Sequence, residues 1–397
     1  MQGEGHNSWI VSTRRAKLTR GATLHLTASP KQRLTHIDCM RGLACIIMFQ
    51  THCYDSWLGG AARSGKVLQW AHLSSTLAAP SFLFLAGVSV GLGMENLIER
   101  GAGSRTLALA ALKRGAMILL FGMLFRVQEF ALAWPYAPWT DLFRVDVLNV
   151  IGASIMLLGL VCWIRQRYQR GVAAAIGMLS IALLAPLLWT SWRPYWLPWF
   201  LESYVNGVHI FNKPQPWLFP IFPWAAFCFA GLAASAVFRA DWAQRREALT
   251  MALTALAGVL FGAAALALDA LPIPLYSEYD FWHTSPNFFL VRLGILLIIL
   301  AACYAWSRRA GRQWIFSILL VLGQSSLLVY WVHIEFVYGR FSLLPKRAST
   351  VPQATAGLFV VIIGMFLLAS ARVWWKRRQR QMREPGIAPS SGFSSRA

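Results

Sequence analysis

The sequence contains little charge and very few acidic residues. Of its 397 residues only 13% are charged, and 16 Asp and Glu stand against 37 Lys and Arg. A soluble domain carries about 25% charged residues, whereas here 57% of the residues are hydrophobic and the mean hydropathy is +0.49. A soluble chain of this length could not bury so much apolar surface. The composition therefore excludes a soluble enzyme, a disordered regulator and a secreted disulfide scaffold.

The common metal-binding and nucleotide-binding motifs are also missing. No P-loop, CxxC pair or zinc-type spacing occurs, so we expect no metal and no nucleotide loop. The six cysteines lie in or at the ends of apolar runs, which is typical of small packing residues. Gly87, Gly91 and Gly93 follow a small-residue spacing in one apolar run and predict close helix contacts.

Long apolar runs predict an all-α integral membrane protein with about ten transmembrane helices. Each run has about 20 residues, which is the length that crosses the hydrocarbon core of a bilayer. We expect a single membrane domain over residues 37–376, between a disordered basic tail (1–36) and a basic, then disordered tail (377–397). The expected spans are 39–58, 67–93, 107–128, 145–164, 171–190, 217–238, 248–268, 288–306, 314–339 and 355–375.

The basic residues predict the orientation of the helices. If the N-terminus is cytoplasmic, the segments on that side hold 25 Lys and Arg, and the outer segments hold 9. Because cytoplasmic loops are enriched in Lys and Arg, both termini should be cytoplasmic, as an even number of spans allows. Short basic clusters between apolar runs fit this role better than nucleic-acid binding, for which the chain has no basic soluble module.

The outer segments are rich in aromatic residues and proline. Residues 186–224 contain six tryptophans and seven prolines. They could form an interfacial aromatic belt, or an outer lid whose rings stack on a sugar. A second outer loop, 270–287, contains two acidic residues and no Lys or Arg.

The first span places Arg41 and His52 on one helix face. They are eleven residues apart, which is about three turns and roughly 16 Å along a helix. Asp55 follows one turn after His52, close to the same stripe, and Asp38 suits the N-cap of the helix. Ionisable groups inside a span are costly and are therefore functional candidates. The alternative is that Arg41 only snorkels and that His52 bonds a neighbouring helix.

Other spans place polar groups at a depth similar to that of His52. They are Asp146 and Asn149 in the fourth span, Asn287 and Arg292 in the eighth, and Ser326, Tyr330 and His333 on one face of the ninth. Polar residues of helix packing or of the interface are the alternative. At the cytoplasmic end, Lys113 and Arg114 begin the third span near Arg41. Such clusters bind phosphates, although they also fit ordinary positive-inside residues.

Several sequence blocks share the pattern of one enzyme family. The stretch from Arg33 to Met94 contains IDCMRGLA, the Arg41-x10-His52 pair and PSFLFLAGVSVGLGM. Further blocks are FRVDVLNVIG, LFPIFPWAAFCFAG, SPNFFLVRLG and LGQSSLLVYWVHI. Together they resemble the bacterial relatives of heparan-alpha-glucosaminide N-acetyltransferase, in the transmembrane acyltransferase superfamily. The Arg-x10-His spacing is also similar to the acyltransferase-three family, which acylates cell-envelope sugars.

This resemblance implies transfer of an acyl group, acetyl above all, from cytoplasmic acetyl-CoA or another acyl-CoA to an acceptor beyond the membrane. His52 would be the base or the acyl-accepting group, oriented by Asp55 or Asp146. The full expected site comprises His52, Asp55 and His333 for catalysis, Arg41, Lys113 and Arg114 for the donor, and Asp146, Asn149, Asn287 and Arg292 for the acceptor. The lysosomal enzyme has its catalytic histidine in the first lumenal segment, where this chain offers only His72, without a clear motif match.

We expect an enzyme of the inner membrane of a bacterium. Its partners would be the lipid bilayer and a sugar or glycan with an amine or hydroxyl to acylate. We expect no binding to nucleic acid, and the sequence is compatible with a homodimer. The alternative is a secondary transporter of a small anion or sugar, in which the buried charges would form the substrate site. The two halves show no inverted repeat, which argues against a transporter, and a structural or sensor protein would not need charges at depth.

Overall fold

The computed structural model describes residues 34–207, 219–271, 276, 280–309 and 313–383. In this part of the chain helices dominate, two short 3-10 turns (Gly60–Ser64 and Trp139–Phe143) connect some of them, and no sheet forms. The α-helices are α1 (Thr35–Trp57), α2 (Lys66–Ser75), α3 (Ala78–Glu99), α4 (Ser104–Ala133), α5 (Val147–Cys162), α6 (Arg167–Trp189), α7 (Trp199–Asn206), α8 (Ile221–Phe238), α9 (Asp241–Arg245), α10 (Glu247–Asp269), α11 (Pro286–Arg309), α12 (Trp314–Gln324), α13 (Ser326–Val337) and α14 (Val351–Arg383).

The all-α membrane architecture is confirmed. Among the described residues, eight helices are long and apolar enough to cross a bilayer, or nine if one bent pair forms a single span. Each of the ten expected spans coincides with one or two helices. The helix α1 is not among the eight, and it carries the polar side chains of Arg41, His52 and Asp55. The expected number of ten spans therefore stays a prediction.

The edges of the membrane domain differ slightly from those expected. Helix α1 begins at Thr35, and α14 continues through its basic residues to Arg383. The expected tails, 1–36 and 377–397, otherwise lie almost entirely outside the described residues. Asp38 is wrong as an N-cap, because it lies inside the first turn of α1 and binds Arg41 instead.

The ninth span is broken and is not the continuous helix that was expected. α12 and α13 meet at an angle of 90°, and Ser325 between them leaves the helical conformation. The sequence Gly323-Gln324-Ser325-Ser326 explains the break, since Gly and Ser are poor helix formers whose backbone or side chain favours other conformations. The bend lets α13 approach the end of α1, where the hydroxyl of Ser56 donates to the carbonyl of Val337 over 2.8 Å.

Glycines allow α1 and α12 to cross at very short range. A Cβ atom on Gly42 would lie 2.0 Å from the carbonyl oxygen of Leu319, and one on Gly323 would lie 2.0 Å from that of Asp38. No larger residue fits at either position without moving the helices apart. The crossing fixes α1 in the centre of the bundle.

The glycine prediction for α3 is confirmed for two of its three residues. A Cβ on Gly87 would lie 1.9 Å from the carbonyl oxygen of Cys228 in α8, and one on Gly91 would overlap the side chain of Ser235. Gly93 was wrong, since a Cβ there meets nothing within 4 Å. All six cysteines are buried and unbridged, as packing residues should be.

Candidate active site

The centre of the candidate site is a pair of histidines on α1 and α13. Nδ1 of His52 lies 2.8 Å from Nε2 of His333. The two rings are within 5° of parallel and their centroids are 5.1 Å apart. Because the two nitrogens are much closer than the centroids, the rings meet edge to edge in one plane. This is the geometry of a hydrogen bond between the two imidazoles.

The hydrogen-bond pattern assigns the proton positions in this pair. Nδ1 of His333 lies 2.8 Å from the carbonyl oxygen of Val329, one turn earlier in α13. A carbonyl only accepts, so Nδ1 of His333 carries the proton and, in the neutral ring, Nε2 accepts. Nδ1–H of His52 therefore donates to His333, which leaves the lone pair of His52 on Nε2.

The lone pair of His52 points to accessible space. His333 has no exposed surface, whereas His52 is only half-buried. Among the described residues Nε2 of His52 has no hydrogen-bond partner. Unlike the unpaired polar atoms of the protein interior, this nitrogen is not fully buried. An imidazole held through one nitrogen and open at the other can accept a proton from a bound substrate.

Neither of the expected carboxylates hydrogen-bonds to His52. Asp55 accepts from the hydroxyl of Tyr338 over 2.9 Å and forms an ion pair with Arg63 at 3.2 Å. The ring of Tyr338 packs edge-on against His52, with centroids 5.4 Å apart. Asp55 thus holds a neighbour of His52, and the group that orients His52 directly is His333.

Asp146 belongs to a buried ion cluster beside the histidine pair. It stands just before α5 and forms an ion pair with Arg126 of α4 at 2.9 Å, while Arg126 also contacts Glu129. Arg126 is only 6% exposed. The charge of Asp146 still acts on His52 through space. The count of nine outer basic residues includes Arg126, although it lies inside the third expected span, 107–128, and an arginine inside an apolar stretch is itself a signal of function.

Asn149 and Gln128 extend this polar region on either side. The amide of Asn149 donates to the hydroxyl of Tyr204 in α7 over 3.0 Å, so the short outer helix is tied to the site. Gln128 donates to Glu335 over 2.6 Å and accepts from the indole of Trp331 over 2.8 Å. Both networks join residues distant in sequence, and only Asn149 among these was expected.

The expected donor residues meet at the other end of α1. Arg41 binds Asp38 over 3.0 Å and the hydroxyl of Ser89 over 3.2 Å, and Arg114 lies 3.5 Å from the carbonyl oxygen of Ser89. Two guanidinium groups thus converge on one turn of α3. Lys113 is exposed, and no contact links its side chain to the other two. Ser89 stands in a Gly-x-Ser-x-Gly sequence, but in mid-helix, where it cannot form the strand-to-helix elbow of a hydrolase.

The remaining expected residues stand apart from the histidine pair. Asn287 donates to Asp269 over 3.2 Å, and Arg292 donates to the carbonyl of Trp282 over 3.2 Å. His72, the reserve candidate, is exposed on α2. Within the described ranges no three His, Cys, Asp or Glu side chains gather in a way that could hold a metal ion.

Comparison with known proteins identifies the family. No curated protein matches the chain. The model of the catalytic region of heparan-alpha-glucosaminide N-acetyltransferase matches residues 33–268, more than half of the sequence. The match runs from the start of α1 to the end of α10 and includes Arg41, His52 and Asp146, while His333 and Arg292 lie beyond it. The chain therefore belongs to the heparan-alpha-glucosaminide N-acetyltransferase catalytic family.

Proposed function

We propose that this multi-pass membrane acetyltransferase moves an acetyl group from acetyl-CoA, bound from the cytoplasm, to an amine or hydroxyl of a sugar or envelope glycan on the outer side. The observation that carries the proposal is His52. Its Nδ1–H is fixed by His333, and its Nε2 is left as an accessible base. Family membership favours this activity over a transporter.

His52 would act on the acceptor and not on the thioester, which is already activated. Nε2 takes the proton from the attacking hydroxyl or amine while the new O–C or N–C bond forms at the thioester carbonyl. When the tetrahedral intermediate collapses, the C–S bond breaks and the imidazolium returns its proton to the leaving thiolate. His333 keeps its own proton on Nδ1 throughout and stabilises the imidazolium by accepting from Nδ1–H of His52.

The donor would lie along α1. Arg41 and Arg114 supply two guanidinium groups for the phosphates, and a guanidinium forms paired hydrogen bonds with phosphate. His52 lies eleven residues further along the same continuous helix, roughly 16 Å away and nearly in line. That distance suits the extended arm that separates the phosphates of CoA from its thioester. Lys113 would add only long-range charge.

The acceptor would bind at the opposite end of α1, next to the ion cluster. Asp146 and Asn149 are the proposed contacts closest to His52, and Asn287 and Arg292 on α11 remain predicted contacts further away. The two carboxylates of the ion cluster, Asp146 and Glu129, outnumber its one guanidinium, and this net negative charge suits an acceptor that arrives as an ammonium ion. We place the protein in the inner membrane of a bacterium, as the resemblance to bacterial relatives implies. The Arg41 end would lie in the cytoplasm because of the 25 to 9 distribution of basic residues.

Membrane vesicles of both orientations test the activity and its direction together. Inverted and right-side-out vesicles with overproduced protein receive external radiolabelled acetyl-CoA, and amino-sugar or glycan acceptors are enclosed within them. Labelled acceptor should form in inverted vesicles and only after permeabilisation in right-side-out vesicles. Vesicles with an exposed-histidine variant, His72→Ala, serve as a matched control and should behave like the wild type. Transfer confined to right-side-out vesicles would reverse the proposed direction, and no labelled acceptor in permeabilised vesicles would contradict the proposed acceptors.

A further inference from the structure

Arg292 is a buried guanidinium that has no acidic partner among the described residues. It lies in the second turn of α11, is only 7% exposed, and has a buried Nε atom with no hydrogen-bond partner. Its one hydrogen bond goes to the carbonyl oxygen of Trp282. Among the described residues no carboxylate forms an ion pair with it. Every other arginine of comparable burial in the described chain, Arg126 and Arg170, contacts a carboxylate.

Two aromatic rings lie next to this guanidinium. Its central carbon lies 3.8 Å from the ring centroid of Phe288 and 5.5 Å from that of Trp224 in α8. Stacking on rings offsets part of the cost of removing the charge from water and holds the planar group in one orientation. Stacking does not provide hydrogen-bond acceptors for the N–H donors at the edge of the guanidinium, and these donors need other partners.

Two described carboxylates of this region, Asp269 and Asp280, have other partners. Asp269 accepts from the amide of Asn287, and Asp280 binds His283 at 2.6 Å. A buried charge without a counterion is strongly unfavourable, and so it is usually paired or serves a bound ion. Neither Asp269 nor Asp280 therefore neutralises Arg292.

Arg292 lies at nearly the same depth as His52. The rings of His36 and Tyr304 touch, with centroids 5.6 Å apart, which sets the register of the antiparallel helices α1 and α11. Arg292 precedes Tyr304 by twelve residues and is thus level with Met48, twelve residues after His36. Met48 is about one helical turn from His52. The guanidinium is therefore at the level where the acceptor would be bound.

We infer that Arg292 binds an oxyanion, either a carboxylate, sulfate or phosphate group of a soluble saccharide or the phosphate of a lipid headgroup. The N–H donors of a guanidinium that are not used within the protein can match the oxygens of such a group, and Arg292 uses one Nη group on the carbonyl of Trp282. This site would exist whether or not the protein transfers acetyl groups, so its test uses binding alone, without acetyl-CoA.

The test measures thermal stabilisation and binding in micelles of a non-ionic detergent that contains no phosphate. The purified full-length protein is titrated with millimolar methyl glucuronide or inorganic phosphate, at ionic strength matched with chloride, and methyl glucoside is the uncharged control. Arg292→Gln should weaken binding of the anion about 10- to 100-fold, as expected for the loss of hydrogen bonds to a charged donor. Arg292→Lys should retain part of the affinity. Arg340→Gln, which removes an exposed arginine at the same end of the bundle, should leave binding unchanged.

Nanodiscs that contain phosphatidylglycerol distinguish the two sources of the anion. If the lipid alone stabilises the wild type but not Arg292→Gln, the headgroup is the ligand; if only the soluble anions do so, the ligand is a saccharide group. Equal responses of the wild type and Arg292→Gln to both would overturn the inference. If Arg292→Gln fails to fold, the wild-type protein alone tests the inference. The inference would be overturned if neither the soluble anions nor phosphatidylglycerol stabilised the wild type.

Discussion

His52 and His333 are 281 positions apart in the sequence, yet their imidazole nitrogens lie 2.8 Å apart in one plane. The backbone carbonyl of Val329 fixes the proton of His333 and thereby determines which nitrogen of His52 is free. This arrangement makes His333 a positioning residue. It would not touch the acceptor or the thioester, but it would keep the base in the correct tautomer.

Replacing His333 should therefore reduce turnover without affecting donor binding. We expect His333→Ala to lower kcat about 10- to 100-fold, because His52 loses the acceptor for its Nδ1–H and the tautomer is no longer fixed. The KM for acetyl-CoA should change little. His333→Gln, whose amide oxygen can accept the same hydrogen bond, should recover a measurable part of kcat. Steady-state kinetics measure these values. If His333→Ala and His333→Gln had equal kcat, the role of His333 would be purely structural.

Asp55 should matter less than its position one turn from His52 suggests. It binds Tyr338 and Arg63, not His52. We expect Asp55→Asn to lower kcat less than about tenfold, well below the effect of losing a catalytic base. Tyr338→Phe, which removes the other end of the same hydrogen bond, should have a similar effect. If Asp55→Asn instead inactivated the well-folded protein as fully as the loss of His52, Asp55 would have a direct catalytic role.

Arg41 should act on the donor alone. Arg41→Ala should raise the KM for acetyl-CoA about tenfold or more and leave the acceptor KM nearly unchanged, because one guanidinium contact to phosphate is lost. Arg41→Lys should restore only part of the affinity, since an ammonium cannot form the paired hydrogen bonds. Lys113→Ala is the matched control and should be nearly silent, because the side chain is exposed. Equal increases in both KM values would contradict a phosphate-binding role.

The close packing of α3 and α8 gives a test of the fold. Gly87→Ala should destabilise the protein by about 1–3 kcal/mol, because the new methyl group would overlap the carbonyl of Cys228. Gly93→Ala faces open space and should be neutral or stabilising by up to about 1 kcal/mol, since Ala favours a helix over Gly. Melting temperatures followed by size-exclusion chromatography compare the two. A stable Gly87→Ala variant would show that the helices are not in such close contact.

The helices could be predicted from the sequence, because apolar length alone identifies a membrane span. The break at Ser325 could not, since glycine and serine are tolerated in many transmembrane helices. That break determines the candidate site, because it turns α13 so that His333 reaches His52. No pattern within one span reveals such a contact.

The residue types of the site were easier to predict than their partners. Buried charge singled out Arg41 and His52, and the same rule applies to Arg126, which lies inside the expected third span, 107–128, and is buried in α4. Asp55 was assigned to His52 because they share a helix face. In the structure Asp55 contacts Tyr338 and Arg63, which lie outside α1. Helical spacing within α1 carries no information about contacts with residues elsewhere in the chain.

Turnover of His52→Ala tests the central claim most directly. A positioned base contributes about 10² to 10⁴-fold to the rate, so kcat should fall by that factor while acetyl-CoA binding and folding stay close to those of the wild type. His52→Gln, which can form hydrogen bonds but cannot take up a proton at neutral pH, should be nearly as inactive. The control His72→Ala should remain active. Near-normal kcat in His52→Ala, together with inactivity of His72→Ala, would contradict the account and move the base to α2.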